Sequence, residues 1–240
     1  MAVKYKGYTI IVEQDENPDD PRNWDNLGTM VCSHRRYCLG DVQTPSVLDW
    51  MVDALAGHVN TDTQRWENWC DFSEENHLAI VRKFTEKYLW LPLYGYDHSG
   101  FWMSTHNSGW PFNCPWDSGQ VGIICVEKAK VLKEFDYKIL AIALKKRIYT
   151  YLQGEVQTYS EYLSGATYYY KIEDSHGEIV DQCGGYYGSD DRESGLLEAA
   201  EGVIDYLIRA HHDKHLAYLK RVIRSGVPFL YRRPFNTTTA

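Results

Sequence analysis

The stretch NLGTMVCSHRRYCLGD, residues 26–41, contains side chains that can bind an anion. The candidates are one histidine, two adjacent arginines and the glycine–aspartate turn after them: His34, Arg35, Arg36, Gly40 and Asp41. The apolar run before the histidine predicts a strand, so the arginines would lie at its end. Guanidinium groups there could hold a phosphate or a carboxylate through paired hydrogen bonds. The alternative is that both arginines form ion pairs with the preceding acidic loop, at residues 19–25.

A second polar turn is GYDHSG, in which Asp97 and His98 are adjacent between two glycines. An aspartate can orient a histidine for general base catalysis. Neighbouring side chains of a strand point to opposite faces, however, so the spacing alone does not imply that these two pair directly. Either residue could instead line a polar site.

A third candidate is the loop NSGWPFNCPWDSGQVG, which is rich in tryptophan and ends with Asp117 and Ser118 before a strand. Asp-Ser-Gly is similar to the surroundings of a serine-protease nucleophile, but no other triad member can be placed. A serine in a tight turn more often bonds its own backbone. The rings of Trp110 and Trp116 could stack on a base.

Metal and cofactor patterns are weak. Cys32, His34 and Cys38 lack regular zinc-ligand spacing and a second ligand pair. His211 and His215 stand four residues apart, yet no HExxH glutamate accompanies them. The acidic loop lacks the oxygen-ligand spacing of an EF-hand, and neither GxGxxG nor GxxxxGK[ST] occurs. We therefore expect no metal and no cofactor.

Charge and hydropathy restrict the partners and the compartment. The chain has 25 Lys and Arg against 33 Asp and Glu, a net charge of −8 that disfavours general DNA binding. No stretch approaches the roughly 18–20 consecutive apolar residues of a membrane helix, and the first apolar run is too short for a signal peptide. The six cysteines form no CxxC pair, which is typical of reduced thiols. We expect a cytoplasmic protein with no membrane partner.

The elements that must position these residues form a mixed pattern. Alternating or apolar runs predict strands at 4–13, 27–34, 89–100, 101–106 and 119–127, and a hairpin at 166–188. Helical spacing covers 47–57, 73–89, 127–165 and 193–226. In the third of these helical regions Ile139, Ile142, Ile148 and Leu152 are expected on one stripe, with Gly154 as a division.

This order of elements does not alternate as a doubly wound parallel sheet would. It predicts an α+β fold in which a mainly antiparallel sheet is covered by several helices. No repeat and no linker composition marks a boundary, so we expect a single domain over residues 1–240.

Four stretches, NLGTMVCSHRRYCLGD, LPLYGYDHSG, PWDSGQVGIICVEK and VDQCGGYYG, resemble the motifs of a family of uncharacterised proteins encoded by bacteriophages and other mobile elements. The resemblance covers most of residues 23–190. It implies no established activity, cofactor or catalytic residue. Accessory phage proteins are often directed at host immunity, so the resemblance implies a counter-defence role in the host-cell cytoplasm.

Three functions are compatible with the sequence, and association into a homo-oligomer is compatible with each. The first is binding without turnover, of an anionic nucleotide-like molecule or of a host defence protein, in a pocket walled by Trp102, Trp110 and Trp116. The second is a hydrolase or transferase acting on a nucleotide or nucleic acid, with His34 or His98 as general base. The third is an acidic inhibitor that mimics nucleic acid.

Overall fold

The computed structural model describes residues 1–56, 74–98, 100–105, 114 and 116–226. Within them the strands are β1 (Ala2–Tyr5), β2 (Tyr8–Gln14), β3 (Thr29–Cys32), β4 (Val42–Gln43), β5 (Tyr88–Asp97), β6 (Phe101–Ser104), β7 (Ser118–Glu127), β8 (Thr167–Glu173) and β9 (Ile179–Tyr187). The helices are a 3-10 turn (Pro21–Asn23), α1 (Val47–Ala56), α2 (Glu74–Lys87), α3 (Lys128–Glu134), α4 (Ile142–Leu163) and α5 (Leu196–Arg224). The predicted α+β class is confirmed, because helices accompany two mostly antiparallel sheets.

The backbone forms two compact units. The first unit combines Met1–Asn17 with Thr167–Ala240, and the second unit is Pro18–Ala166. That both belong to one domain over residues 1–240 stays a prediction.

The first unit is a four-stranded antiparallel sheet in the order β1-β2-β8-β9, with α5 packed on β2 and β8. The strand predicted at residues 4–13 is in fact a hairpin, because Lys6 and Gly7 both have positive φ and turn the chain between β1 and β2. The hairpin predicted at 166–188 is confirmed as β8 and β9. No described helix is long and apolar enough to cross a membrane.

The second unit is a three-layer structure around a five-stranded sheet in the order β4-β3-β7-β5-β6. Strand β3 runs parallel to β4, and the other pairs are antiparallel. Residues 121–126 of β7 are all buried. Their continuous apolar run is typical of a central strand covered on both faces.

Alternate residues of β3 and β7 supply the two cores of the second unit. Val31 and Ile123 pack with α1 and α2 on one face of the sheet. Met30 and Ile124 pack with α4 on the other face. The sheet is thus covered by helices on both faces, and the loops at its ends carry the polar residues of interest.

Helix α4 departs from its predicted pattern. Ile139 lies before the helix and is 76% exposed, and Ile142 at the first helical position is 87% exposed. The buried stripe begins two residues later, at Leu144, and two residues turn an α-helix by about 200°, which places Ile142 on the opposite side. Gly154 does not divide the helix, since one glycine in a packed helix is tolerated at modest cost.

Candidate functional site

A cavity of about 680 Å³ opens at one end of the five-stranded sheet in the second unit. Strands β3 and β5 both run antiparallel to β7 and flank it, so their carboxyl ends meet beside the start of β7. Cys32 pairs with Gly122, and Tyr96 pairs with Ser118. This pairing brings together three turns that are far apart in the sequence.

Seven of the ten residues proposed from the sequence line this cavity: His34, Arg35, Arg36, Asp97, Trp116, Asp117 and Ser118. His98 lies next to it, with its Nδ1 3.4 Å from Oδ2 of Asp117. Asp41 is not among the lining residues. Trp110 lies outside the described residues. That the seven bind a ligand stays a prediction.

Arg36 and Asp97 form an ion pair across the cavity. Arg36 Nη1 lies 3.3 Å from Asp97 Oδ2, and the hydroxyl of Tyr37 donates to Asp97 Oδ1 at 3.4 Å. The Arg36 side chain is 72% exposed, and such exposed pairs stabilise a protein by only about 0–1 kcal/mol. Arg36 can therefore exchange Asp97 for a ligand anion at little cost. The predicted alternative, pairing with the acidic loop, does not hold for Arg36.

Three aromatic rings support the loop that carries the arginines. His34 stacks on Tyr37 with centroids 5.1 Å apart, and Phe101 contacts both rings edge-on at 5.5 and 5.3 Å. Phe101 is 7% exposed, so it anchors the loop to the core. Sequence reasoning missed Tyr37 and Phe101, although Tyr37 directly follows the two arginines.

The hydrogen bonds of His34 determine its role. Its Nδ1 accepts from the backbone N–H groups of Arg36 and Tyr37, both at 3.2 Å. In a neutral imidazole the nitrogen that accepts carries no proton, so the proton of His34 resides on Nε2. This arrangement suits a hydrogen-bond donor and not the general base proposed from the sequence.

Asp117 is the centre of a second polar cluster. Its Oδ2 accepts from the thiol of Cys114 at 3.4 Å and lies at the same distance from His98 Nδ1. Its backbone carbonyl accepts from the N–H of Asp97 at 2.9 Å, which joins two of the three turns. An aspartate therefore does lie beside His98, but it is Asp117 and not the adjacent Asp97.

Ser118 is the first residue of β7, and its side chain bonds back to the turn that precedes the strand. Its hydroxyl donates to the backbone carbonyl of Cys114. A hydroxyl that donates to a carbonyl is not activated by a base, since the carbonyl cannot take its proton. The comparison with a serine-protease nucleophile gains no support from this geometry.

Asp41 belongs to an internal ion-pair network. Its carboxylate accepts from Arg22 at 2.6 and 3.0 Å and from the N–H of Met30 at 2.7 Å. Arg22 also donates to Glu155 of α4 at 3.1 Å. The acidic loop thus supplies the arginine and the HRRYCLGD stretch supplies the carboxylate, the reverse of the pairing considered from the sequence. Asp41 holds the loops beneath the site.

The cysteines and the acidic residues of the described ranges form no metal centre, since no group of three or more His, Cys, Asp or Glu side chains there could hold an ion. Burial raises the pKa of the Cys32 thiol to about 12, with the charge of Asp41 contributing. A thiol that stays protonated is a poor metal ligand. Cys32 is therefore a core residue.

Comparisons with protein-family models, curated proteins and solved structures find no match for this chain. The resemblance to phage and mobile-element proteins stays a prediction. Any proposal about function has to be argued from the chemistry of the cavity.

Proposed function

We propose that the cavity binds an anionic nucleotide-like ligand. One observation carries this proposal: two arginines, two carboxylates and aromatic rings line the same cavity of the second unit. In the setting implied by the resemblance, the protein acts in counter-defence by sequestering a nucleotide signal of the host.

The balance of charges in the cavity favours a nucleotide over a simple anion. Arg35 and Arg36 attract phosphate, whereas Asp97 and Asp117 repel it. A nucleotide satisfies both pairs, because its phosphate accepts from guanidinium groups while its sugar hydroxyls and base amines donate to carboxylates. The ring of Trp116 is 92% exposed at the rim and can stack on the base.

Titration calorimetry with a panel of cyclic nucleotides and ADP-ribose derivatives tests the proposal, with inorganic phosphate as the reference anion. We expect heat of binding with at least one nucleotide. Arg36→Ala should weaken that binding about tenfold or more, as expected for a lost charge-assisted hydrogen bond. No heat with any nucleotide would remove the proposal.

Arg192 offers a matched control in the first unit. Its side chain is 71% exposed and faces the carboxylate of Glu201 at 3.8 Å, much as Arg36 faces Asp97. Arg192→Ala should leave the affinity unchanged. An equal loss in both variants would mean that net charge, and not the cavity, governs binding.

Asp97→Asn separates a nucleotide from a simple anion. If the ligand is only an anion, removing the carboxylate frees Arg36 and strengthens binding. If hydroxyl or amine groups of the ligand donate to Asp97, the same change weakens binding. We expect weaker binding of the nucleotide and stronger binding of inorganic phosphate.

The second candidate function is hydrolysis or group transfer on a nucleotide or nucleic acid, favoured by the contact between His98 and Asp117. An aspartate at Nδ1 leaves Nε2 as the basic nitrogen, and the arginines would stabilise phosphate charge. Turnover should be lost in His98→Ala and retained in His176→Ala, which changes an exposed histidine of the first unit. Equal turnover in a His34→Ala, His98→Ala double variant and in the wild type would exclude this assignment.

A further inference from the structure

A second cavity, of about 350 Å³, lies between strand β6 and the C-terminal half of α4 in the second unit. It shares no lining residue with the cavity of the candidate site. Helix α4 packs on β6, the strand at one edge of the five-stranded sheet. A volume of this size can hold a small organic molecule, since ligand pockets begin at about 300 Å³.

This second cavity has an apolar floor and polar walls. Met103 and Val156 are 3% and 1% exposed and form the floor. The polar residues from α4 are spaced three or four positions apart, so they share one side of the helix. Among the residues that the structure describes, none that lines this cavity is basic. The polar lining residues are Ser104, Thr105, Gln153, Gln157, Ser160 and Glu161.

The edge of β6 is closed to an added strand beside the cavity. The N–H of Met103 donates to the Ser160 hydroxyl at 2.9 Å. A peptide that extended the sheet would need the N–H groups of this edge for its own ladder of hydrogen bonds. This contact therefore favours a small molecule over an extended peptide.

Glu161 gives the second cavity its charge, because it is the one carboxylate among the described lining residues. It lies in the last turn of α4, where the helix dipole is negative and no basic residue balances it. Gln157 Nε2 donates to Glu161 Oε1 at 3.2 Å, which leaves the Gln157 carbonyl and the second carboxylate oxygen to accept from a ligand. A bound cation would offset the repulsion between Glu161 and the end of the helix.

We propose that the second cavity binds a small aliphatic amine as its ammonium cation. An ammonium group has three donors for the acceptors of Glu161 and Gln157, and its alkyl chain would pack on the apolar floor. An anion would be repelled by Glu161, and a neutral ligand would cover the carboxylate without neutralising it. A metal ion needs a group of strong ligands, and the described residues contain no group of three or more His, Cys, Asp or Glu that could hold one.

Saturation-transfer NMR on the full chain at neutral pH tests the proposal with three probes of equal length: butylamine, butanol and butyrate. At this pH the first probe is a cation, the second is neutral and the third is an anion. We expect butylamine to bind with a Kd of about 1 mM, as is typical of so small a ligand. Butanol and butyrate should bind at least about fivefold more weakly.

Two variants locate the binding, and a third is their control. Glu161→Gln removes the charge with little change in shape and should weaken butylamine binding about tenfold or more. Gln157→Lys places an ammonium group four residues from Glu161 and should weaken it similarly. Glu134→Gln raises the net charge by one, as the other two do, but changes an exposed carboxylate in the last turn of α3, outside the cavity. It should alter binding less than about twofold.

Urea unfolding of the ligand-free variants separates binding from a structural role of Glu161. Glu161→Gln removes a carboxylate from the negative end of α4, so we expect its unfolding midpoint to equal or exceed that of the wild type. A midpoint clearly lower than that of Glu134→Gln would assign Glu161 to the stability of the helix and overturn the proposal.

Three binding results would also overturn it. The first is no saturation transfer to butylamine in the wild-type chain. The second is equal affinity for butylamine and butanol, because the apolar floor alone would then explain binding. The third is an equal loss in Glu161→Gln and Glu134→Gln, which would mean that net charge governs binding. Because the two cavities share no lining residue, each of these results leaves the proposed nucleotide site unaffected.

Discussion

Replacing Arg22 by methionine tests the ion-pair network beneath the candidate site. The Arg22 side chain is 4% exposed, and its guanidinium group donates to Asp41, to Glu155 and, at 2.8 Å, to the carbonyl of Gly28. Methionine keeps the length and apolar stem of the side chain. The substitution therefore removes the charge and the donors with little change in volume.

The magnitude follows from what the substitution leaves behind. Burial alone would lower the pKa of Arg22, but the hydrogen bonds and charges of Asp41 and Glu155 outweigh it and raise the pKa, so the arginine is fully charged. Without it, two carboxylates that are 25% and 15% exposed lose their counter-ion. Removing one partner of a buried pair costs about 3–5 kcal/mol, and partial solvation of the carboxylates favours the lower value, about 3 kcal/mol.

Urea unfolding followed by tryptophan fluorescence measures this loss. Arg36→Met is the control, since the exposed pair of Arg36 contributes about 0–1 kcal/mol. Adding Asp41→Asn and Glu155→Gln to Arg22→Met removes the stranded charges and should restore a large part of the stability. A loss below about 1 kcal/mol for Arg22→Met, or no recovery in the triple variant, would refute this account of the network.

Other consequences concern β7 and the thiols. Gly122→Ala would place a Cβ 2.1 Å from a carbonyl oxygen of β3 and should lower the free energy of unfolding by about 1–3 kcal/mol or more. Gly119→Ala on the same strand meets no atom within 4 Å and is the control in urea unfolding. Burial raises the pKa of Cys125 from 9.0 to about 12, so the protonated thiol contributes its full stability below pH 9. That contribution to the free energy of unfolding should fall by about 1.4 kcal/mol per pH unit from pH 9 towards 12. Cys125→Ala should flatten this alkaline decline, and an unchanged slope in urea titrations would contradict it. A thiol reagent should label the exposed Cys38 and Cys183 of the native protein and spare the buried Cys32 and Cys125, and mass spectrometry identifies the labelled residues.

Local signals in the sequence predicted several elements well. Helix α1 begins after Ser46, as expected, and the Ser46 hydroxyl accepts from the N–H of Asp49 at 3.2 Å. The turn between β8 and β9 is held by Asp174, whose carboxylate accepts from the N–H groups of His176 and Glu178. These features depend on residues within four positions of each other, which a single sequence displays directly.

Two predicted elements were wrong in their bounds, because the same local pattern fits two different structures. Lys6 with Gly7 interrupts a run that reads as one strand, and a lysine at positive φ leaves little trace in the sequence. Apolar spacing could not tell that α4 begins at Ile142, because Ile139 and Ile142 match a helical stripe as well as Leu144 does. The roles of Asp41 and Arg22 required knowing which loops touch α4.

By itself the sequence determined the α+β class and the turns that carry polar side chains, because each depends on composition or on neighbours along the chain. Only the tertiary structure decided that Arg36, Asp97 and Asp117 share one cavity and that His98 faces Asp117. Their proximity arises because β3 and β5 flank β7 and run against it. Arg36 and Asp97 are 61 positions apart in the chain. Which strands pair with β7 is selected by burial of both faces of the sheet against distant segments, and neighbouring residues do not encode that choice.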